Sequence, residues 1–261
     1  MGGSAACRCS RPKGDPMTRP PLPPLAIRAW LRYDVVDRVV DRLRPRTVLE
    51  VGCGQGSFGA RMSRRAAYRG LEPDPISYAV AAQSIPPQGG EVLNVTTGEL
   101  EVTPYDLVCA FEVLEHIEDD AAALADWTRF VAPGGHLLLS VPADPRRFGP
   151  MDEHAGHFRR YTAQGLAALV RASGYEAVEV ITYGWPLGYA LEAVRNRVDA
   201  RRPMAAPDAS MAERTAASGR LMQPQTGAVG WAIAAATVPF RALQRLRPGT
   251  GIGLVVLARR A

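Results

Sequence analysis

The sequence predicts an α/β fold in which short buried strands alternate with helices and most strands run parallel. Residues 47–59 have the pattern of a strand, a glycine loop and a helix start. Residues 105–117 contain a second buried strand, and a helical pattern follows it. Strands that alternate with helical patterns are typical of a parallel sheet covered by helices on both faces.

Composition indicates one sizeable core plus an appendage, since the chain has 261 residues and 47% of them are apolar. The net charge is +5, but the basic residues are scattered along the chain, so no nucleic-acid partner is expected. The four cysteines, at positions 7, 9, 53 and 109, match neither a disulfide framework nor a zinc motif.

The chain divides into four predicted parts. Residues 1–24 contain six prolines and three glycines, which predicts a disordered tail. This tail lacks the apolar stretch of a signal peptide, so a cytoplasmic protein is expected. The predicted core covers residues 25–183, a helical insertion or lid covers 184–249, and the last core strand covers 250–261.

An amphipathic helix is predicted before the first strand. Val36, Val39, Val40 and Leu43 recur at helical spacing, and Pro45 follows them. We expect this helix to pack beside the first strand and to help close the ligand pocket.

The stretch TVLEVGCGQGSFG at residues 47–59 predicts a nucleotide-binding turn. Its apolar run ends at Val51, and glycines stand at positions 52, 54, 56 and 59. Glycines allow positive φ angles and let a ligand lie against the backbone.

Two nucleotide-binding patterns fit this turn. Residues 54–59 match the G-x-G-x-x-G of nicotinamide-dependent oxidoreductases, with Glu72 as a ribose ligand. The other pattern starts at Glu50, two residues before the first glycine. A buried carboxylate there is costly unless it meets a cation, and it would repel a pyrophosphate. The second pattern therefore favours a ligand that carries an ammonium group.

A second short strand is predicted at residues 68–72 and ends in Glu72. An acid at the carboxyl end of this strand can accept both hydroxyls of a ribose. Asp74 is the alternative, although its Asp-Pro-Ile-Ser context is typical of a helix N-cap. A weaker third strand is predicted at residues 91–94.

The second strong stretch predicts strand four at residues 106–111, followed by the string EVLEHIEDD. A helix carrying Leu124, Trp127, Phe130 and Val131 should follow and be closed by Pro-Gly-Gly at 133–135. Strand five is predicted at residues 136–141. A helix at 162–173, strand six at 175–183 and a final strand at 251–258 complete the core.

The Glu50-x-Gly-x-Gly-x-Gly pattern, the EVLEHIEDD string and the Pro-Gly-Gly together resemble class I S-adenosylmethionine-dependent methyltransferases. They are most similar to ubiquinone-pathway and natural-product O-methyltransferases, over residues 30–183. The resemblance implies a Rossmann-like, seven-stranded and mainly parallel sheet, with an antiparallel last strand and a helical insertion before it. It also implies S-adenosyl-L-methionine as methyl donor and S-adenosyl-L-homocysteine as product.

The resemblance implies roles for the cofactor-binding residues as well. Glu50 would face the cofactor's amino acid part, and Glu72 would bind the ribose. The other implied contacts are Gly52, Gly54, Gly56, and Ala110 and Phe111 beside the methionine end.

The segment DEHAGHFRRY at 152–161 resembles a loop found in part of this family. His157 of this loop is the first candidate general base, His116 after strand four is the second, and His154 of the loop is the third. Asp152, His154 and His157 do not have the spacing of a standard metal set, so no metal is predicted.

The same loop predicts acceptor-binding residues. Arg159 and Arg160 would clamp an anionic group, and Tyr161 would line the site. Trp185, at the start of the predicted insertion, would also line it. The alternative is that the two arginines pin the loop to the core.

The predicted reaction is methylation of a hydroxyl or carboxylate oxygen on a small molecule of secondary or lipid-linked metabolism. The alternatives are methylation of RNA or peptide, and a non-catalytic S-adenosylmethionine-binding module. The sequence lacks the Asn/Asp-Pro-Pro-Tyr motif after strand four, which argues against exocyclic base amines. Arg241, Arg245 and Arg247 beside an apolar stretch would suit peripheral membrane contact, although a lid over the pocket is preferred. The pattern leaves the oligomeric state open.

Overall fold

The computed structural model describes residues 19–201 and 227–261. The prediction of a disordered tail falls mainly on residues outside this range. Part of the predicted insertion, residues 202–226, also lies outside the described residues.

Seven strands form one sheet with the order β3-β2-β1-β4-β5-β7-β6. The first five strands pair in parallel, and β7 runs antiparallel between β5 and β6. The predicted sheet, including its antiparallel last strand, is confirmed. The strands are β1 Thr47–Val51, β2 Ala67–Leu71, β3 Glu91–Leu93, β4 Tyr105–Phe111, β5 Val131–Pro142, β6 Tyr175–Gly184 and β7 Gly251–Arg260.

Helices cover both faces of this sheet. The first helix buries Val36, Val39 and Val40, which confirms the predicted amphipathic helix. Within the described residues, no helix is long and apolar enough to cross a membrane. The α-helices are α1 Ile27–Leu43, α2 Ser57–Met62, α3 Pro75–Ser84, α4 Asp120–Thr128, α5 Pro150–Ala155, α6 Ala163–Ala172, α7 Leu187–Asp199 and α8 Gly227–Leu243.

The core consists of two apolar layers, one on each face of the sheet. Strand β4 supplies both, because successive side chains of a strand point to opposite faces. Leu107 packs with Val36 of α1 and Phe58 of α2. Val108 packs with Leu124 of α4 on the other face. Burial on both faces explains why the sequence of β4 is continuously apolar after Asp106.

The predicted end of the helix after β4 is wrong. Helix α4 ends at Thr128, and Val131 already belongs to β5. The amide N–H of Tyr105 donates to the carbonyl of Phe130 at 2.8 Å, so the chain leaves the helix to pair with β4. The Pro-Gly-Gly at 133–135 therefore lies within β5, where the register with β4 shifts.

The carboxyl ends of the parallel strands meet at one edge of the sheet, where α/β folds bind ligands. The glycine loop follows β1, Glu72 follows β2, and Glu112 follows β4. The segment 152–161 comes after β5 and returns to the same edge, since Tyr161 forms an isolated bridge with Ala143.

Candidate active site

The glycine loop leaves open space at Gly54. This residue has a φ of +54°, and a Cβ placed on it would meet no atom within 4 Å. By contrast, a Cβ on Gly52 would lie 2.7 Å from a methyl of Val113. Gly52 is thus required by packing against the chain after β4, whereas Gly54 borders a space that a ligand can enter.

Glu72 is tied to this loop by backbone hydrogen bonds. Its Oε2 accepts from the N–H of Gly54 at 2.7 Å, and its Oε1 accepts from the N–H of Asp74 at 2.9 Å. Burial raises the pKa of Glu72, although these two hydrogen bonds oppose the rise. Each oxygen of an ionised carboxylate has a second lone pair, so both can also accept from ribose hydroxyls. Asp74 caps α3 by accepting from the N–H of Ser77, as its sequence context predicts.

Glu50 is a buried carboxylate at the end of β1, with 3% of its surface exposed. The hydroxyl of Tyr68 donates to it. Burial raises the pKa of Glu50 to about 8, against the opposing effects of Tyr68 and Arg32. Glu72 lies near enough to raise it further. The site thus has a deficit of positive charge, which an ammonium group on a ligand would supply.

Phe111, the last residue of β4, is buried beside α2. Its ring packs edge-on against Phe58 of α2, with 4.7 Å between ring centroids. Ala110, the preceding residue, is buried with 2% of its surface exposed.

His157 is held by the buried carboxylate of Asp152. Its Nδ1 lies 2.8 Å from Oδ1 of Asp152. Asp152 also accepts two hydrogen bonds from the guanidinium of Arg160, at 2.8 and 2.7 Å. Burial alone would raise the pKa of Asp152, but the hydrogen bonds from His157 and Arg160 outweigh it and the pKa is lowered. An ionised Asp152 fixes the hydrogen of His157 on Nδ1 and leaves Nε2 to face the site.

Glu115, His116 and His157 come together beside the carboxyl end of β4. The two imidazole rings contact edge to face, with 4.7 Å between centroids. Nε2 of His157 lies 4.0 Å from a carboxylate oxygen of Glu115. Burial raises the pKa of Glu115 well above its usual range. Burial is the larger cause that lowers the pKa of His116, and the nearby His157 is the smaller one. The pKa falls to about 4, so His116 is neutral at pH 7.

The other predicted catalytic histidine lies apart from this group. Nδ1 of His154 is 2.8 Å from the carbonyl oxygen of Pro150, one turn earlier in its own helix. It is therefore turned toward the backbone of α5.

The loop arginines and Tyr161 are engaged by acidic partners. Arg160 is buried between Asp152 and Glu192. The guanidinium of Arg159 and the hydroxyl of Tyr161 both donate to Asp120, each at 2.9 Å. These contacts fit the alternative in which the arginines pin the loop. One third of the Arg159 side chain remains exposed.

Trp185, the fourth predicted acceptor-binding residue, follows β6. The guanidinium of Arg247 lies over its indole, 4.9 Å from the ring centroid. Trp185 thus contacts the segment just after α8, and it is not part of the group formed by Glu115, His116 and His157.

Comparison with known proteins decides the family. A family model described as a methyltransferase domain matches residues 27–180, which is more than half of the chain. The chain belongs to the class I S-adenosylmethionine-dependent methyltransferases. The match begins with α1 and ends within β6, so it contains the glycine loop, Glu72 and the histidine group.

Two curated relatives agree with this family. A probable S-adenosylmethionine-dependent methyltransferase of Mycolicibacterium smegmatis is 31% identical over 160 residues, which are 58% of this chain and 61% of the relative. A ubiquinone biosynthesis O-methyltransferase of Alkalilimnicola ehrlichii is 34% identical over 117 residues, which are 42% of this chain and 47% of the relative. The chain thus spans about three fifths and one half, respectively, of these two relatives.

A solved structure shows the same fold. The YcgJ protein of Bacillus subtilis superposes with a TM-score of 0.56 at 14% identity, covering 88% of this chain and 99% of that one.

The cofactor of this methyltransferase is S-adenosylmethionine, and the observed residues fit it. Gly54 offers the open backbone and Glu72 offers two acceptor oxygens. Glu50 offers a buried carboxylate that lacks a full countercharge. These groups lie together at one edge of the sheet, as the resemblance in sequence implies.

Sequence reasoning missed three acidic residues of the candidate active site. Glu112 has a φ of +58° and accepts from Ser140 at 2.9 Å and from Tyr183 at 3.3 Å. Glu115 is fully buried and lies close to the two histidines. Glu192 of α7 pairs with Arg160. The string EVLEH contains Glu112 and Glu115, but no sequence signal indicates which of the two side chains is buried.

Proposed function

We propose that this methyltransferase transfers the methyl group of S-adenosylmethionine to an oxygen atom of a small-molecule acceptor. The acceptor oxygen belongs to a hydroxyl or a carboxylate. The observation that carries the proposal is the pair of imidazoles, His116 and His157, in contact beside the carboxyl end of β4. Val113, two residues before Glu115, packs on Gly52 of the glycine loop, which supports a position of the pair next to the methyl donor.

On the donor side, the task of the chain is binding and alignment. A sulfonium methyl is already activated for displacement. Glu50, the glycine loop and Glu72 would hold the donor, while the buried Phe111 excludes water from its reacting end. Holding the two reactants aligned and dry supplies most of the rate enhancement in such a reaction.

On the acceptor side, a hydroxyl must lose its proton. His157 is the candidate proton acceptor, because the hydrogen bond from its Nδ1–H to Asp152 leaves the lone pair on Nε2. His116, whose pKa is lowered to about 4, is too weak a base for this role. A carboxylate acceptor would need no base, and the exposed part of Arg159 could then bind it.

A small acceptor is favoured over RNA by how the arginines are used. Arg241 and Arg245 pair with Asp34, and Arg160 pairs with Asp152 and Glu192. These guanidiniums are engaged by carboxylates of the protein itself, which argues against a phosphate-binding surface. The name of the Alkalilimnicola ehrlichii relative also supports oxygen as the methylated atom.

The test is transfer of labelled methyl from S-adenosylmethionine into an extract that is then separated into metabolite, lipid, RNA and protein fractions. We expect label in the metabolite or lipid fraction. Label in RNA or protein would overturn the small-molecule acceptor. No label in any fraction, with S-adenosylhomocysteine still bound by the protein, would favour a non-catalytic binding module.

A further inference from the structure

We propose that Glu115, His116 and His157 form a binding site for one divalent transition-metal cation. Each side chain offers one ligand atom, and these atoms all lie within 4.8 Å of one another. The three residues meet because the N–H of Phe158 donates to the carbonyl of Glu115 at 2.8 Å. This bond brings the loop after β5 back to the chain after β4.

Glu115 is the residue that points to a ligand. Its side chain is fully buried, and neither of its oxygens has a hydrogen-bond partner among residues 19–201 and 227–261. Leaving a buried polar group unpaired is costly, and more so for a charged one. A cation between Glu115 and the two imidazoles would supply the missing partner.

Both histidines are oriented as metal ligands are. Nδ1 of His116 lies 3.2 Å from the carbonyl oxygen of Gly156, and Nδ1 of His157 lies 2.8 Å from Asp152. A carbonyl and an ionised carboxylate can only accept, so Nδ1 carries the hydrogen in each ring and Nε2 carries the lone pair. Metal-ligating histidines almost always donate their second ring N–H to such groups.

The separations fit a single ion. Two ligand atoms that each lie about 2.1 Å from the same ion in tetrahedral geometry are about 3.4 Å apart. The 4.0 Å between Nε2 of His157 and a carboxylate oxygen of Glu115 would therefore shorten by about 0.6 Å on binding. A pair of ligand atoms at the 4.8 Å bound would shorten by about 1.4 Å.

The donor set selects the class of ion. Two imidazole nitrogens and one carboxylate suit cations of the Mn²⁺ to Zn²⁺ series, whereas Mg²⁺ and Ca²⁺ prefer oxygen ligands alone. Three protein ligands also leave a coordination position for an added ligand.

The chemical consequence of this site rests on the proposed function, whereas cation binding does not. An acceptor hydroxyl in the open position would become more acidic. His157 would then act as a ligand and would not take the proton directly. The hydroxyl gives its proton to solvent, its oxygen bonds to the methyl carbon, and the bond from that carbon to sulfur breaks.

The test is titration of the metal-free, full-length protein with Co²⁺, followed by visible absorption and then by displacement with Zn²⁺. Cys7 and Cys9 are replaced by serine in all variants, since thiols bind these ions. We expect one Co²⁺ per chain. Glu115→Gln and His157→Asn should each weaken binding more than about 100-fold, and Asp152→Asn should weaken it by about 10- to 100-fold. His136→Asn, which changes a histidine of β5 outside the group, should leave binding unchanged.

Folding of each variant is checked by thermal unfolding without metal. Glu115→Gln should unfold at the same temperature as the parent or higher, because it removes a buried acid that lacks a hydrogen-bond partner. Failure of the parent to bind Co²⁺ would overturn the proposal, as would a folded Glu115→Gln or His157→Asn variant that binds it normally. Neither methyl donor nor acceptor is present, so this outcome is independent of whether methyl transfer occurs.

Discussion

The carboxylate of Glu72 accepts a hydrogen bond from the backbone N–H of Gly54 at 2.7 Å. The residue predicted to bind the ribose therefore also holds the glycine loop, which we expect to lie against the cofactor. Glu72→Ala should weaken binding of S-adenosylhomocysteine by roughly 1.5 to 3 kcal/mol, the range for a lost hydrogen bond to a charged group. Isothermal titration calorimetry measures this loss, and an unchanged affinity would remove Glu72 from the cofactor site.

Gly54→Ala tests whether the cofactor lies against Gly54, provided that the effect of backbone strain is measured separately. Gly134→Ala is its matched control, since both glycines have positive φ and a Cβ placed on either would meet no atom within 4 Å. Each substitution should cost about 1 to 2 kcal/mol of stability in urea unfolding. Only Gly54→Ala should also lose affinity for S-adenosylhomocysteine. Equal affinities in the two variants would mean that the cofactor does not lie against Gly54.

Glu50 should make stability depend on pH. Its pKa is raised from 4.5 to about 8 in the folded protein, so the folded state binds more protons than the unfolded state between these values. The contribution of Glu50 to stability is then greatest below pH 4.5 and is lost as pH rises through about 8. The fall is at most about 1.4 kcal/mol per pH unit. Urea unfolding from pH 5 to pH 8 should show the parent losing stability relative to Glu50→Gln. If the free energies of unfolding of the two proteins changed with pH in parallel, the raised pKa of Glu50 would be contradicted.

Cofactor binding should release a proton from Glu50. If the cofactor's ammonium group pairs with the ionised carboxylate, affinity for S-adenosylhomocysteine should increase as pH approaches about 8. Calorimetry at pH 7 in buffers of different ionisation enthalpy counts the proton released. Glu50→Gln should release none, and proton release that persists in this variant would assign it to another group.

The buried pair of Arg160 and Glu192 should contribute strongly to folding. Both side chains are at most 1% exposed, and removing one partner of a buried ion pair typically costs about 3 to 5 kcal/mol. Glu192→Gln should lose about 3 kcal/mol or more in urea unfolding. The matched control is Glu176→Gln, whose partner Arg259 is half exposed, and its loss should stay below about 1 kcal/mol. Similar losses in both variants would show that the buried network is not a main source of stability.

Much of the arrangement around the glycine loop was predictable from sequence because its signals are local. The apolar run of β1, the glycines after it and the acid at the end of β2 each lie within a few residues of one another. Alternation of strands and helices then places these segments at one edge of the sheet. The N-cap role of Asp74 was likewise readable from four consecutive residues.

The histidine group was harder to predict because long-range contacts create it. Glu115 and His157 are brought together by the bond from Phe158 to the Glu115 carbonyl, which joins chain segments that are far apart in sequence. The early start of β5 has the same origin, since pairing of Tyr105 with Phe130 overrides the local helical pattern. Such contacts leave no periodic trace in the sequence.

The most direct test of methyl transfer to oxygen uses S-adenosylmethionine with a ¹³C-labelled methyl group. The metabolite and lipid fractions of an extract are incubated with the protein, and the ¹³C chemical shift of the new methyl signal identifies the atom that carries it. We predict an O-methyl signal that forms with the parent protein and is lost with Gly54→Ala. A new methyl signal on nitrogen, sulfur or carbon, or no new signal from a protein that binds S-adenosylhomocysteine, would contradict the proposed function.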